Sequence, residues 1–328
     1  MEMDHIMIYS VTPNPALDLG GIVDQLVTDE KNYVHFETRA PGGNAINAAR
    51  IMKRLGVSVK ATGFLGGGVG REIEELLRAE GVACRFVKIE GDSRVSLTVS
   101  SRKNGRQTRL SFPGPKIASA ESNRLMKLVT ASQHVDLVLI GGSLPPGVKV
   151  VYLTKMVSSL RDLGIPCIVD VPGAILKKVI SARPLLVKPN LLEFQELVGH
   201  KVSSINSVLK AARKLNHLVP LICVSSVEGG SLLVSSEAAW FGRVPKVNVR
   251  TTVGAGDSMV GSMASYIFKH KKNFTFSKWN EKVSEKIGSE LLRWGLAAAA
   301  ATLETHGTEL GEAAQIQSFY QKVKVSIL

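Results

Sequence analysis

Short, nearly uninterrupted runs of Val, Ile and Leu alternate along the chain with longer segments whose apolar residues recur at helical spacing. The runs His5–Val11, Val59–Phe64, Val135–Ile140, Ile165–Asp170, Leu185–Lys188 and Leu221–Ser225 predict strands. Between them, Asn44–Leu55, Gly70–Glu80, Ala120–Ser132, Lys149–Leu163 and Ser203–Leu215 predict helices. A strand that is apolar at every position needs cover on both faces, and alternating helices supply it. The pattern therefore predicts an α/β body, with a mostly parallel central sheet sandwiched between two helical layers.

Two regions break this rhythm. Asp18–Phe36 and Arg85–Phe112 alternate apolar and polar residues with period two, as in Val95-Ser-Leu-Thr-Val-Ser-Ser. Lys103-Asn104-Gly105 predicts a hairpin turn inside the second. Together they predict a small antiparallel sheet projecting from the body as a lid, with one face wet and the other covering something. The expected division puts the body in 1–12, 37–84 and 113–328, and the lid in 13–36 and 85–112. A long helix over Lys278–Glu304, with its run of alanines, reads as core packing.

The 328 residues suffice for one large domain with an appendage or for two domains, and 45% hydrophobic content supports a sizeable core. Cys84, Cys167 and Cys223 lie far apart without a CxxC pair, which points to buried thiols in a reducing compartment. The opening lacks the basic-then-apolar order of a signal peptide, and no apolar run is long enough to span a bilayer. The expectation is a cytoplasmic protein with no membrane partner.

A formal charge of +13 raises the question of nucleic acid. However, Lys and Arg are scattered and aromatics are only 5%, so no stacking platform accompanies a basic stripe. The densest cluster, Lys269-His270-Lys271-Lys272 with Lys278, reads as a solvated loop. Anionic small substrates suit the same field.

The most informative segment is Thr251-Thr252-Val253-Gly254-Ala255-Gly256-Asp257-Ser258. It reads as a glycine-rich turn opening a helix, whose outward N–H groups and dipole suit a phosphate or developing oxyanion. Asp257 there would repel a resting anion, and it makes sense as the base that takes a proton from an attacking hydroxyl. The plainer reading is a helix N-terminus with a dipole-friendly Asp. Pro41-Gly42-Gly43-Asn44-Ala45-Ile46-Asn47 is a second such turn, with Asn47 one turn in to hydrogen-bond hydroxyls. Neither GxGxxG nor GxxxxGK[ST] occurs, which disfavours dinucleotide and P-loop folds.

The pairing of PGGNAINAAR with TVGAGDSMVG, in that order and separation, resembles the PfkB/ribokinase family of carbohydrate kinases. Thr12-Pro13-Asn14-Pro15-Ala16-Leu17-Asp18, Gly142-Ser143-Leu144-Pro145-Pro146-Gly147 and Lys188-Pro189-Asn190-Leu191-Leu192-Glu193 follow in family order, so the resemblance spans the chain. It is nearest the branch acting on phosphorylated ketohexoses: minor-type 6-phosphofructokinases, 1-phosphofructokinases and tagatose-6-phosphate kinases. The resemblance implies a ribokinase-like sandwich with a β lid, and ATP and Mg²⁺ as cofactors. It also implies a homodimer joined through the lid sheets, with potassium near Val253 and the Gly307 loop as an optional addition.

On the same basis Asp257 is the expected general base, and Gly254, Ala255 and Gly256 the anion hole. Asp18, Gly42, Gly43, Asn47 and Ser143 are expected on the sugar, and Lys31 and Arg94 on the phosphate it already carries. For Asp18 a turn-forming role is the plainer reading, and for Lys31 and Arg94 an exposed lid face. Lys188, Asn190, Ser225, Gly230 and Thr252 are expected around the nucleotide. Glu193 with Asn190 resembles an organiser of Mg²⁺-bound water, although the pair also reads as a helix capping box. Several positions depart from the family pattern: Val227 replaces the first glycine of the Ser-x-Gly-x-x-Gly turn, and Tyr33 replaces an Arg. Asn44-Ala45, Ser96 and Thr251 are further departures. The alternatives are a kinase of an unphosphorylated sugar or nucleoside, and a sugar-phosphate sensor without turnover.

Overall fold

The apolar runs form the middle of one large sheet in the computed structural model of the chain, which describes residues 7–132, 134–271 and 283–328. Strand β1 (Met7–Thr12) leads out to β2 (Ala16–Val23) and β3 (Phe36–Gly42), then back through α1 (Asn44–Arg54), β4 (Val59–Leu65) and α2 (Gly67–Ala79). Short strands β5 (Ala83–Cys84) and β6 (Val87–Lys88) precede a second departure, β7 (Arg94–Ser101) and β8 (Gln107–Ser111). The body continues with α3 (Ser119–Thr130), β9 (Val135–Gly141), α4 (Val150–Asp162), β10 (Cys167–Asp170), α5 (Gly173–Val179), β11 (Leu186–Val187), α6 (Leu191–Val198) and α7 (Ile205–Arg213). It closes with β12 (Leu221–Val227), β13 (Gly230–Val234), β14 (Ala239–Arg243), α8 (Ala255–Lys269), α9 (Glu285–Leu303), α10 (Ala313–Lys322) and β15 (Val325–Ile327).

The large sheet runs β15-β14-β13-β12-β11-β10-β9-β1-β4-β5, with β6 also on β4. Pairings from β5 to β12 are parallel, and those from β12 to β15 antiparallel. Strand β9 shows why its sequence is apolar throughout. Leu137 and Leu139 pack with α1, α8 and α9 on one face, while Val138 and Ile140 pack with α3 and α4 on the other. Each such fully buried side chain contributes roughly 1.5–3 kcal/mol. The two helical layers thus meet through the sheet, as the alternation predicted. The start of the first predicted strand, the first part of the predicted helix Lys278–Glu304, and Lys272 and Lys278 of the basic cluster lie outside the described residues.

The lid is a separate four-stranded sheet, β3-β2-β7-β8. Its β7–β8 hairpin turns at Lys103–Gly105 as expected, with the Gly105 N–H donating to Ser101 O at 2.9 Å. One pairing differs from an antiparallel sheet: β2 and β7 run parallel, because both leave the same edge of the body, Ala16 opposite Arg94. The boundaries differ as well. Residues 37–42, assigned from the sequence to the body, continue β3 in the lid, where Arg39 lies opposite Leu19 and Gly42 opposite Ala16. Val87–Lys88, assigned to the lid, pairs with β4 in the body.

Candidate active site

Parallel α/β sheets leave a crevice at the carboxyl ends of their strands. Here the lid roofs that crevice, making a cleft of about 850 Å³. Helix α8 points its N-terminus into it. The N-cap, Gly254, has φ 74°, a left-handed conformation natural to glycine, and a Cβ there would fall 2.5 Å from Leu310 Cδ2. No side chain caps the helix, so its first amides are left for a ligand.

Asp257 occupies the first turn of α8 and lines the cleft. Its Oδ2 accepts from Asn47 Nδ2 at 2.9 Å. Asn47 Oδ1 in turn accepts from Arg50 Nη1 at 3.3 Å, and Arg50 pairs with Glu80 at 2.8 Å. This ladder along one side of α1 fixes the amide so that its NH₂ faces the carboxylate. Burial pushes the Asp257 carboxyl up to about 7, helped by the nearby Asp170 charge and opposed by Asn47 and Lys188.

Behind this turn lies a buried ion pair. Lys188 Nζ is 3.2 Å from Asp170 Oδ1, both side chains 6% exposed, and the ammonium sits beside Gly256. Burial pushes Lys188 down, but Asp170 and Asp257 outweigh it and hold the ammonium above its usual range. Asp170 Oδ2 is buried without a partner. Among the described residues, no group of three or more His, Cys, Asp or Glu is arranged to hold a metal.

On the lid side, burial raises Asp18 to about 6 against the charges of Arg94, Arg50 and Arg109. Its carboxylate fills the space a side chain at Gly42 would need, 2.2 Å from an added Cβ. Arg94 spends Nε on Asn14 O at 3.2 Å, and Nη1 on Phe112 O at 3.2 Å and Ser96 Oγ at 3.3 Å. Arg109 on β8 reaches across to Thr252 Oγ1 at 3.1 Å. Val244, Met259, Leu296, Ala299 and Leu303 add apolar wall to the cleft.

A family profile described as pfkB family carbohydrate kinase matches residues 4–314. The chain belongs to this family. It is 30% identical to 1-phosphofructokinase of Bacillus subtilis over 98% of this chain and 100% of that one. It is 33% identical to ATP-dependent 6-phosphofructokinase isozyme 2 of Escherichia coli over 96% of this chain and 98% of that one. Phosphofructokinase-2 from Escherichia coli in complex with substrates and products superposes with TM-score 0.87 at 33% identity, covering 97% and 99% of the two chains.

This carbohydrate kinase gathers most of the residues singled out from its sequence, though not all. Asp18, Gly43, Asn47, Arg94, Lys188, Asn190, Glu193, Ser225, Gly230, Thr252 and Gly254–Asp257 line the one cleft, and Gly42 backs Asp18. Ser143 stands behind the lining, accepting from Asn14 Nδ2 at 3.2 Å. Lys31 is elsewhere: it lies in the exposed loop between β2 and β3, its Nζ 4.9 Å from the Tyr33 ring centre. Asn190 and Glu193 do form the capping box of α6, with Glu193 N donating to Asn190 Oδ1 at 3.0 Å and Asn190 N to Glu193 Oε2 at 2.9 Å. Burial raises the Glu193 carboxyl.

Val227 carries no left-handed strain. A bulge in β12 places positive φ on Ser226 (63°), the tight turn to β13 places it on Glu228 (44°) and Gly229 (74°), and Val227 between them turns into the core. Asp170 and Arg109 were missed by sequence reading. Asp170 ends an apolar strand with no motif around it, and Arg109 is one basic residue among several in an alternating hairpin. Among the described residues, no helix is long and apolar enough to cross a membrane.

Proposed function

We propose that this enzyme transfers the γ-phosphoryl group of ATP to a primary hydroxyl of a phosphorylated ketohexose, giving a sugar bisphosphate. The acceptor is fructose 6-phosphate, fructose 1-phosphate or tagatose 6-phosphate. The observation that carries the reading is Asp257 at the uncapped N-terminus of α8, fixed by Asn47, in a cleft that also holds Asp18 and two lid arginines.

In this reading the apolar wall takes the adenine, with Ser225, Gly230, Asn190 and Thr252 beside the ribose and phosphates. Asp18 and Asn47 orient sugar hydroxyls against Gly42 and Gly43, with Ser143 supporting through Asn14. Arg94 faces the phosphate already present. Asp257 Oδ1, the oxygen not given to Asn47, takes the hydroxyl proton as the oxygen attacks in line. The amides of Gly254–Gly256 and the Lys188 ammonium stabilise the charge spreading over the transferring oxygens. No covalent enzyme intermediate is needed.

Asp170 Oδ2 is an orphaned buried acceptor, and Glu193 keeps one carboxylate oxygen outside its cap. Two hard oxygen donors beside the phosphate path fit Mg²⁺ held largely through its own waters. When bound, it would neutralise phosphate charge. Potassium would be held near Val253 and the Gly307 loop, where the Thr251 hydroxyl donates to Gly307 O at 2.8 Å.

Lys31 keeps a role only through a second copy, since its own cleft does not contain it. A homodimer through the lid sheets, whose Leu110, Phe112, Tyr33 and Val34 are exposed, would provide one. The three free cysteines suit a cytoplasmic enzyme.

The test is ADP release from Mg-ATP with the three phosphosugars, fructose, ribose and adenosine, run with wild type and Asp257→Asn. Turnover confined to phosphosugars and lost in the variant is expected. Turnover with neutral acceptors only would overturn the reading. Binding of a phosphosugar without turnover of anything would make the protein a sensor.

A further inference from the structure

The polar face of the lid is a ruler with a cation near each end. On β2, β7 and β8, alternation sends Asp18, Arg94, Ser96, Thr98, Arg109 and Ser111 into the cleft. The register fixes their order. Arg94 lies opposite Ala16, Asp18 opposite Ser96, and Arg109 opposite Thr98. The two arginines are thus four residues apart, roughly 13 Å along the strands, with the Asp18 carboxylate between them.

Their surroundings differ. The Arg94 guanidinium is tied to two backbone carbonyls and Ser96 at the end near Asn14 and Ser143. Arg109 makes a single described hydrogen bond, to the neutral hydroxyl of Thr252 at 3.1 Å. Thr252 stands two residues before Gly254, at the turn that presents the α8 amides and Asp257. A neutral bond in an exposed position is readily exchanged for a bidentate bond to an anion. The same cleft is lined from the body by the α8 N-terminal turn and the buried Lys188, and from the lid by Arg109.

We propose that Arg109 leaves Thr252 and closes onto the phosphoryl group in transit, stabilising it from the lid while Lys188 acts from the body. This deepens the kinase reading above and rests on it. Arg94 and Arg109 would then hold the two ends of the reacting pair, and of the bisphosphate product, while Asp18 holds the sugar between them. An interaction that grows as charge spreads on the transferring oxygens acts on turnover more than on acceptor binding.

The experiment compares wild type, Arg109→Ala and Arg109→Lys for kcat, acceptor KM and ATP KM, with guanidinium ion added back to the Ala variant. Melting temperature and binding of a non-hydrolysable ATP analogue check that each variant is folded. The expected result is a kcat loss on the order of 100-fold in Arg109→Ala. Acceptor KM should change little, Arg109→Lys should be intermediate, and guanidinium should restore part of the rate. Unchanged kcat in a folded Ala variant would overturn the proposal. So would a large rise in phosphosugar KM at unchanged kcat, which would make Arg109 a clamp for the resident phosphate. Because the transferred group is the same for every acceptor, the wild-type panel separates the two ideas. If wild type uses only neutral sugars the phosphosugar reading fails, and Arg109 is still judged by kcat on those sugars.

Discussion

Asp257 is held where its own charge is disfavoured, since burial and the Asp170 carboxylate both act against ionisation. In its proposed role as base Asp257 must be ionised to accept a proton, so kcat/KM is expected to fall as pH drops through about 7, the position of this carboxyl in the ligand-free cleft. Stability should run the other way. A carboxyl raised in the fold contributes fully below its ordinary range near 4, and that contribution is lost as pH rises through its folded value. Asp257→Asn should therefore melt higher than wild type at pH 8, by on the order of a few degrees, with the gap closing toward pH 5. Thermal scans at the two pH values check this, and an equal gap at both would show that the carboxyl is not perturbed as described. The Asp257 turn was legible because glycine, dipole and acid sit together in sequence. Asp170 and Arg109 were not, because their meaning comes from Lys188 and Thr252, brought close only by folding.

Elements were legible wherever burial dictated residue type along the whole element. Strands β1, β4, β9 and β12 announced themselves because helices cover both of their faces, and α1 because its apolar residues repeat at helical spacing. The hairpin β13–β14 and the closing strand β15 went unread. Their ladder is antiparallel and set by partners in β12 and at the chain's end, which local pattern does not reveal. Val227 illustrates the same limit. By family pattern it stands in a glycine's place, yet β12 bulges at Ser226, and Val227 is fully buried opposite Gly230. Restoring the family residue with Val227→Gly should then lower stability by on the order of 2–3 kcal/mol, without tightening ATP. Denaturant melts and ATP KM check it, and a lower ATP KM at unchanged stability would mean that the turn needs glycine after all.

At the scale of the molecule, a formal charge of +13 surrounds a cleft whose roof and floor carry Arg94, Arg109 and Lys188. Anionic substrates should be drawn toward it, so kcat/KM for a phosphosugar should fall on the order of a few-fold from low to high sodium chloride. For a neutral sugar the decline should be smaller. Stopped-flow or initial-rate series at graded salt measure this, and equal slopes for the two acceptors would argue that the field plays no part.

The lid consists of two stretches of chain, 16–42 and 94–111, that meet along the parallel β2–β7 ladder and just past its end, where Asp24 and Gln25 bond Ser101–Lys103. Neither stretch carries the full polar face: Asp18 comes with the first, and Arg94 and Arg109 with the second. Exchanging acceptor preference between relatives by recombination therefore requires two coordinated splices. A single crossover between residues 42 and 94 yields a hybrid roof, whose halves come from different parents and whose register across the ladder neither parent has tried.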